Sequence, residues 1–313
     1  MERKDATLDS LKQTLETLSL KYEDKDTPQN LLHYTDTVGL LGILDSQQLW
    51  ATHAFYLNDA TEINYTYELI EEIYHDLIEQ AKPDGKARAD SNSPLWTYRD
   101  FLHRLSYKTA RAKPNPDVYV TCFCEKDDLL SQWRGYGNRG SGYAIGFDTK
   151  RLIHPSYSFK LCKVIYSREK QNQILNEILR VVRDSFKRMT DGMDVDGAES
   201  LTEAHAMFFE ETVTRYAPFF KHPTFHEEQE WRLIYSPTGD AYSNQIKFRS
   251  GNLGIIPYVK IGVPDSKKKD QLPIVSIRIG PTAQPALARK ALEMVAVGKY
   301  PDLKISGSAI PLR

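Results

Sequence analysis

The chain has 313 residues, with 41 Lys plus Arg against 42 Asp plus Glu, a formal charge of -1 at pH 7 and 41% hydrophobic residues. That balance supplies no global field to hold a polyanion, so any nucleic-acid contact has to come from local patches, and the apolar content excludes extended disorder. No stretch approaches the roughly 20 apolar residues of a membrane span, and the first residues lack a signal-peptide run, so the expectation is a cytoplasmic protein with no membrane contact.

The leucines at 8, 11, 15, 18 and 20 recur near helical spacing and predict a helix over 7–22. It reads as an amino-terminal extension, residues 1–26, with a partner protein as one candidate use. The rest, 27–313, reads as a single domain. Asn30 to Thr35 predicts a short strand with a polar tip, followed by a helix over Val38 to Leu44. Leu49 to Tyr56 predicts a second strand, and Asn58-Asp59 a cap for a long helix ending near Gln80. Lys82 to Pro94 reads as a loop, Leu95 to Ala112 as a helix.

The middle of the chain is β-rich: strands are expected over Asp117 to Cys124, Gly142 to Phe147 and Phe159 to Tyr166, with a Gly-rich turn from Gly135 to Gly142. Helical spacing returns at about 167–220 as a two-helix insertion, broken near Thr190 to Gly197. Strands follow at Trp231 to Tyr235, Ile246 to Phe248, Ile255 to Ile261 and Ile274 to Ile279. A helix over Ala283 to Val297 and a strand near Leu303 to Ile310 close the chain. Strands interleaved with irregular helices give an α+β fold class. The three cysteines, Cys122, Cys124 and Cys162, are an odd number without C-x-x-C spacing, so they are expected to be reduced core thiols, with no metal.

Four stretches concentrate polar and aromatic side chains. His33-Tyr34-Thr35 precedes a helix whose first amides suit an anionic or ribose-bearing ligand; the plainer alternative is a core histidine with one backbone hydrogen bond. Asn58 opens a helix with Glu62 in capping-box position. Trp133, Arg134 and Tyr136, followed by Tyr143, set aromatic rings and a cation around a Gly-rich loop, as a nucleobase or nicotinamide would need, or else a buried Trp anchors a plain loop. Glu228, Glu230 and Arg232 share one face by strand alternation, as a functional carboxylate set or as an ion pair. No H-E-x-x-H, Walker or G-x-S-x-G motif is present, and a metal-dependent nuclease is the weakest reading.

The order of HYT, LND, QW-x-GYG with GYAIGFD, E-x-EWRL and S-x-IPLR, from Leu32 to Arg313, resembles a widespread bacterial family of uncharacterised proteins. A strand-borne His before a Thr and a helix, with a Glu opening a late strand, resembles the ADP-ribosyltransferase superfamily. That resemblance implies a mixed, split β-sheet core with peripheral helices and NAD as substrate. It makes His33 the ribose ligand and Glu230 the catalytic acid, with Glu228 the other candidate for that role. Tyr34, Trp133, Tyr136 or Tyr143 would stack on nicotinamide, and Arg134, Arg232 or Arg249 would meet the pyrophosphate. The implied activity is ADP-ribosyl transfer to an unidentified protein or nucleic acid, or NAD hydrolysis, in a toxin or phage-defence role. A non-catalytic module binding a nucleotide or a partner is the alternative.

Overall fold

Strand alternation in this chain has to serve two packed faces. In β1 (Asn30–Thr35), Leu31 on one face and Leu32 and Tyr34 on the other are all buried, which is why the segment reads as nearly continuous apolar sequence. The computed structural model describes residues 2–21, 26–57, 61–80, 98–111, 118–137, 142–152, 159–190, 195–235, 245–251, 254–262, 272–282 and 284–311. Its helices are α1 (Glu2–Lys21), α2 (Thr37–Ser46), α3 (Thr61–Gln80), α4 (Tyr98–Arg111), α5 (Leu130–Tyr136), α6 (Thr149–Leu152), α7 (Arg168–Thr190), α8 (Val195–Tyr216) and α9 (Pro285–Ala296). The further strands are β2 (Gln48–His53), β3 (Tyr119–Cys124), β4 (Tyr143–Asp148), β5 (Phe159–Lys163), β6 (Glu230–Tyr235), β7 (Lys247–Gly251), β8 (Gly254–Gly262), β9 (Ile274–Ile279) and β10 (Lys304–Gly307). The α+β class holds, with a mixed sheet and several helices. Among the described residues no helix is long and apolar enough to cross a membrane.

The chain divides into two compact units. Unit 1, residues 1–23, 60–116 and 165–223, has a helical core. Ile174, Leu175, Ile178, Leu179, Val182 and Phe186 form the apolar stripe of α7 and pack with Leu11, Leu15 and Leu18 of α1. Phe101 of α4 stacks on Phe186 at 4.2 Å between centroids. A fully buried His205 donates from Nδ1 to the Leu201 carbonyl at 2.7 Å, and its Nε2 lies 3.2 Å from Ser185 Oγ. With both side chains sealed from solvent, this His–Ser contact is a satisfied core pair.

Unit 2, residues 24–59, 117–164 and 224–313, carries a sheet with 10 strands among the described residues. Its main path runs β10-β9-β4-β1-β3-β2-β8-β7, with β6 between β3 and β5; β9 and β10 are parallel and the other pairs antiparallel. One face, through Leu31, Phe123, Ile145, Phe147, Trp231, Leu233 and Ile277, packs with Leu40 and Leu44 of α2 and Leu292 of α9. The other face carries Leu32, Tyr34, Cys124 and Ala144, packed with Trp133 of α5.

β3 has three neighbours on two edges. β6 pairs with all six of its residues, from Tyr119↔Tyr235 to Cys124↔Glu230, and so fills one edge. The other edge is shared: β2 pairs with Tyr119 and Val120, β1 only with Cys124. Between them, at Thr121–Phe123, β1 and β2 part and the sheet splits.

Candidate functional site

At the split, backbone groups of β3 lose their ladder partners and need others. Alternate residues of an antiparallel strand point both N–H and C=O to the same edge. On the β1/β2 edge the Val118 carbonyl accepts from Ala54 N–H at 2.8 Å. The Cys122 carbonyl, four residues on, instead accepts from His33 Nδ1 at 2.9 Å. Across the same gap Thr121 Oγ1 donates to the Trp50 carbonyl at 3.1 Å. His33 thus replaces a missing strand contact. The bond fixes its tautomer, with the proton on Nδ1 and a lone pair on Nε2. Burial pushes the His33 pKa below the ordinary value against the opposing effect of the Cys122 hydrogen bond, so the ring is neutral at physiological pH.

Glu230 lies on the far edge of β3, opposite Cys124. Arg232 grips it in two-pronged fashion, Nε to Oε1 at 2.8 Å and Nη2 to Oε2 at 2.9 Å. Both are buried, at 4% and 2% exposure, on the face that also carries Cys122 and Cys124. The pairing is the ion-pair alternative of the sequence reading, moved from the surface to the interior. Glu228 ends a 3-10 turn at Pro223–Glu228, and Gln229 then takes φ 44°, so Glu228 precedes the strand instead of sharing its alternation. Its backbone carbonyl accepts from Cys124 Sγ at 3.1 Å.

His33 does not share a sheet face with Glu230 and Arg232. His33 pairs with Ile145 and meets Phe123 edge-on at 5.9 Å, on the face of Trp231, whereas Glu230 and Arg232 project from the opposite face. The reason is parity: Leu32 is in register with Cys124 and Cys124 with Glu230, so His33, one residue along, points the other way.

Of the aromatic candidates, Trp133 takes the buried-anchor alternative and Tyr34 is buried beside it. Trp133 is 1% exposed and cannot present a face to a ligand; it sits on α5, a short helix whose last two residues overlap the turn expected from Gly135 to Gly142. Its indole N–H donates to Asp128 Oδ1 at 2.8 Å and its ring meets Tyr34 at 4.6 Å. Tyr34, 5% exposed, donates its hydroxyl to the Lys126 carbonyl at 2.8 Å, and burial raises its pKa. Tyr143 is half-buried in the sheet; Arg134 and Tyr136 are exposed on α5. Asn58 lies outside the described residues. Thr35 ends β1, and the amides expected to greet an anion at the start of α2 meet Asp36, which caps the helix by accepting from Gly39 N–H at 2.7 Å.

Asp128 was missed in the sequence and joins two of its motifs. Besides Trp133, its carboxylate accepts from Ser308 Oγ at 2.6 Å and Ala309 N–H at 2.8 Å, with Arg278 3.8 Å away. The S-x-IP segment is thereby latched to the QW segment. Burial opposes ionisation of Asp128, but the hydrogen bonds from Ser308, Ala309 and Trp133 and the Arg278 charge outweigh it, holding the pKa below the usual range. The latch needs two bare backbones: a Cβ on Gly280 would come 2.9 Å from Trp133, and one on Gly142 2.8 Å from the Thr35 carbonyl. Only the conjunction of Asp, Trp and a distant Ser would have signalled it.

Residues 132–233 match a family described as "Protein of unknown function (DUF2971)". The matched stretch includes Trp133 and the Glu230–Arg232 pair and omits His33 and Ser308. No curated protein and no solved structure matches the chain.

Proposed function

We propose that the split in the unit 2 sheet binds a nucleotide, with NAD the first candidate, and that His33 is its contact. The observation behind this reading is the parting of β1 and β2 along one edge of β3, where His33 spends Nδ1 on the Cys122 carbonyl and keeps Nε2 as an acceptor. A neutral imidazole fixed in this way accepts a ribose hydroxyl without rearranging, which lowers the ordering cost of binding.

ADP-ribosyl transfer, or NAD hydrolysis, is the reaction such a site would carry. Breaking the C–N bond between nicotinamide and ribose develops positive charge on the ribose, and a preorganised carboxylate stabilises it. Glu230 is the residue proposed for that task, and the bidentate Arg232 contact on the opposite face favours the second reading. In that reading the module binds and does not catalyse, and the pair holds β6 in register.

Calorimetry with NAD, together with nicotinamide release and label transfer in cell lysate, separates these outcomes. Binding by the wild type that is lost in a folded His33→Ala variant supports the site. Release that is lost in Glu230→Gln at unchanged melting temperature supports the transferase. Binding without release leaves the non-catalytic module, and no binding by the wild type overturns the proposal.

A further inference from the structure

The three strands β2, β8 and β7 contain Lys247, Arg249 and Lys260 and no Asp or Glu. Register places Trp50 opposite Lys260, Thr52 opposite Tyr258, Tyr258 opposite Lys247 and Ile256 opposite Arg249, so all of these share one face of the sheet. Trp50 is 47% exposed, with its ring 4.5 Å from that of Tyr258 at an interplanar angle of 31°. Tyr258, 7% exposed, is the floor of this stack. Lys247 and Lys260 are exposed. Arg249 reaches to Thr52 Oγ1 at 3.1 Å, while its Nε is buried with no hydrogen-bond partner among the described residues.

The cations step along the face, one on each of three successive same-face rungs, about 6.6–6.8 Å apart along a strand. A single phosphate meets one such position; a run of phosphates meets all three. An exposed indole beside them offers a base a π-face, and stacking of this kind tolerates any base. We propose that this face of β2, β8 and β7 binds single-stranded nucleic acid, with Trp50 as the stacking platform and Lys247, Arg249 and Lys260 as the phosphate contacts. The inference is independent of nucleotide binding at the split.

Fluorescence anisotropy of a labelled thymidine dodecamer with the full chain tests it. Three phosphate contacts predict a slope of log affinity against log salt of about -2. Trp50→Ala weakens binding about tenfold or more, whereas Trp50→Phe retains most of it. Charge reversal of both Lys247→Glu and Lys260→Glu flattens the slope to a magnitude under about 1. Thermal melts confirm that the variants are folded. No saturable binding at low ionic strength, equal binding by Trp50→Ala, or duplex DNA binding as tightly as the single strand would each overturn the proposal. NAD titrations of the same variants keep this result distinct from the outcome at the split.

Discussion

Replacing Glu230 by Gln preserves shape and removes the charge that Arg232 was folded against. Arg232 is 2% exposed and Glu230 4%, so solvent cannot take over the lost partner. Removing one member of such a buried pair typically costs about 3–5 kcal/mol, because the remaining charge stays desolvated after losing its two-pronged carboxylate contact. For a unit of this size 1 kcal/mol moves the melting temperature by about 2–4 °C, so Glu230→Gln should melt roughly 6–20 °C lower, as read by circular dichroism. The double variant Glu230→Gln with Arg232→Met removes both charges and should recover much of the loss. A Glu230→Gln protein that melts within about 2 °C of the wild type while losing nicotinamide release would refute this reasoning and make Glu230 a reacting group.

Asp128→Asn should lower stability by about 1–3 kcal/mol by weakening hydrogen bonds to an ionised acceptor. Because the folded pKa of Asp128 is depressed, its contribution is complete above the ordinary Asp value of about 3.9 and is lost as pH falls through the folded value. Urea titrations of wild type and variant should therefore converge at acid pH. His33 and His205 have lowered pKa values, so the unfolded chain takes up protons first and stability falls as pH drops below about 6.5; His33→Ala should flatten part of that slope. Gly280→Ala should cost about 1–3 kcal/mol in the same assay, since the added methyl meets Trp133 and the Gly142 carbonyl.

Periodicity carried most of the secondary structure. The stripe that predicts the helices around 167–220 is the one buried in α7, and β1, β4 and β9 fall within a residue of the expected segments. What alternation could not supply is which strands neighbour one another. Glu230 and Arg232 were placed on one face from sequence because that relation is internal to β6. The relation of either to His33 passes through two strand registers, and a shift of one residue in either would have reversed it. Trp133 misled for a related reason: an aromatic beside Arg and Gly looks the same in sequence whether its indole N–H faces a ligand or an Asp128 five residues earlier.

Parity also sharpens what a catalytic reading would require. A dinucleotide that touched both His33 Nε2 and the Glu230 carboxylate would have to contact both faces of a sheet at β3, where Thr121–Phe123 are paired with neither β1 nor β2 on one edge. Closing that gap would therefore separate a threaded ligand from a structural pairing. A disulfide or bulky side chain joining β1 to β2 at the split should abolish binding of a ligand that passes through it. The same change should leave the Glu230–Arg232 contact in place, because both of its residues are on β6.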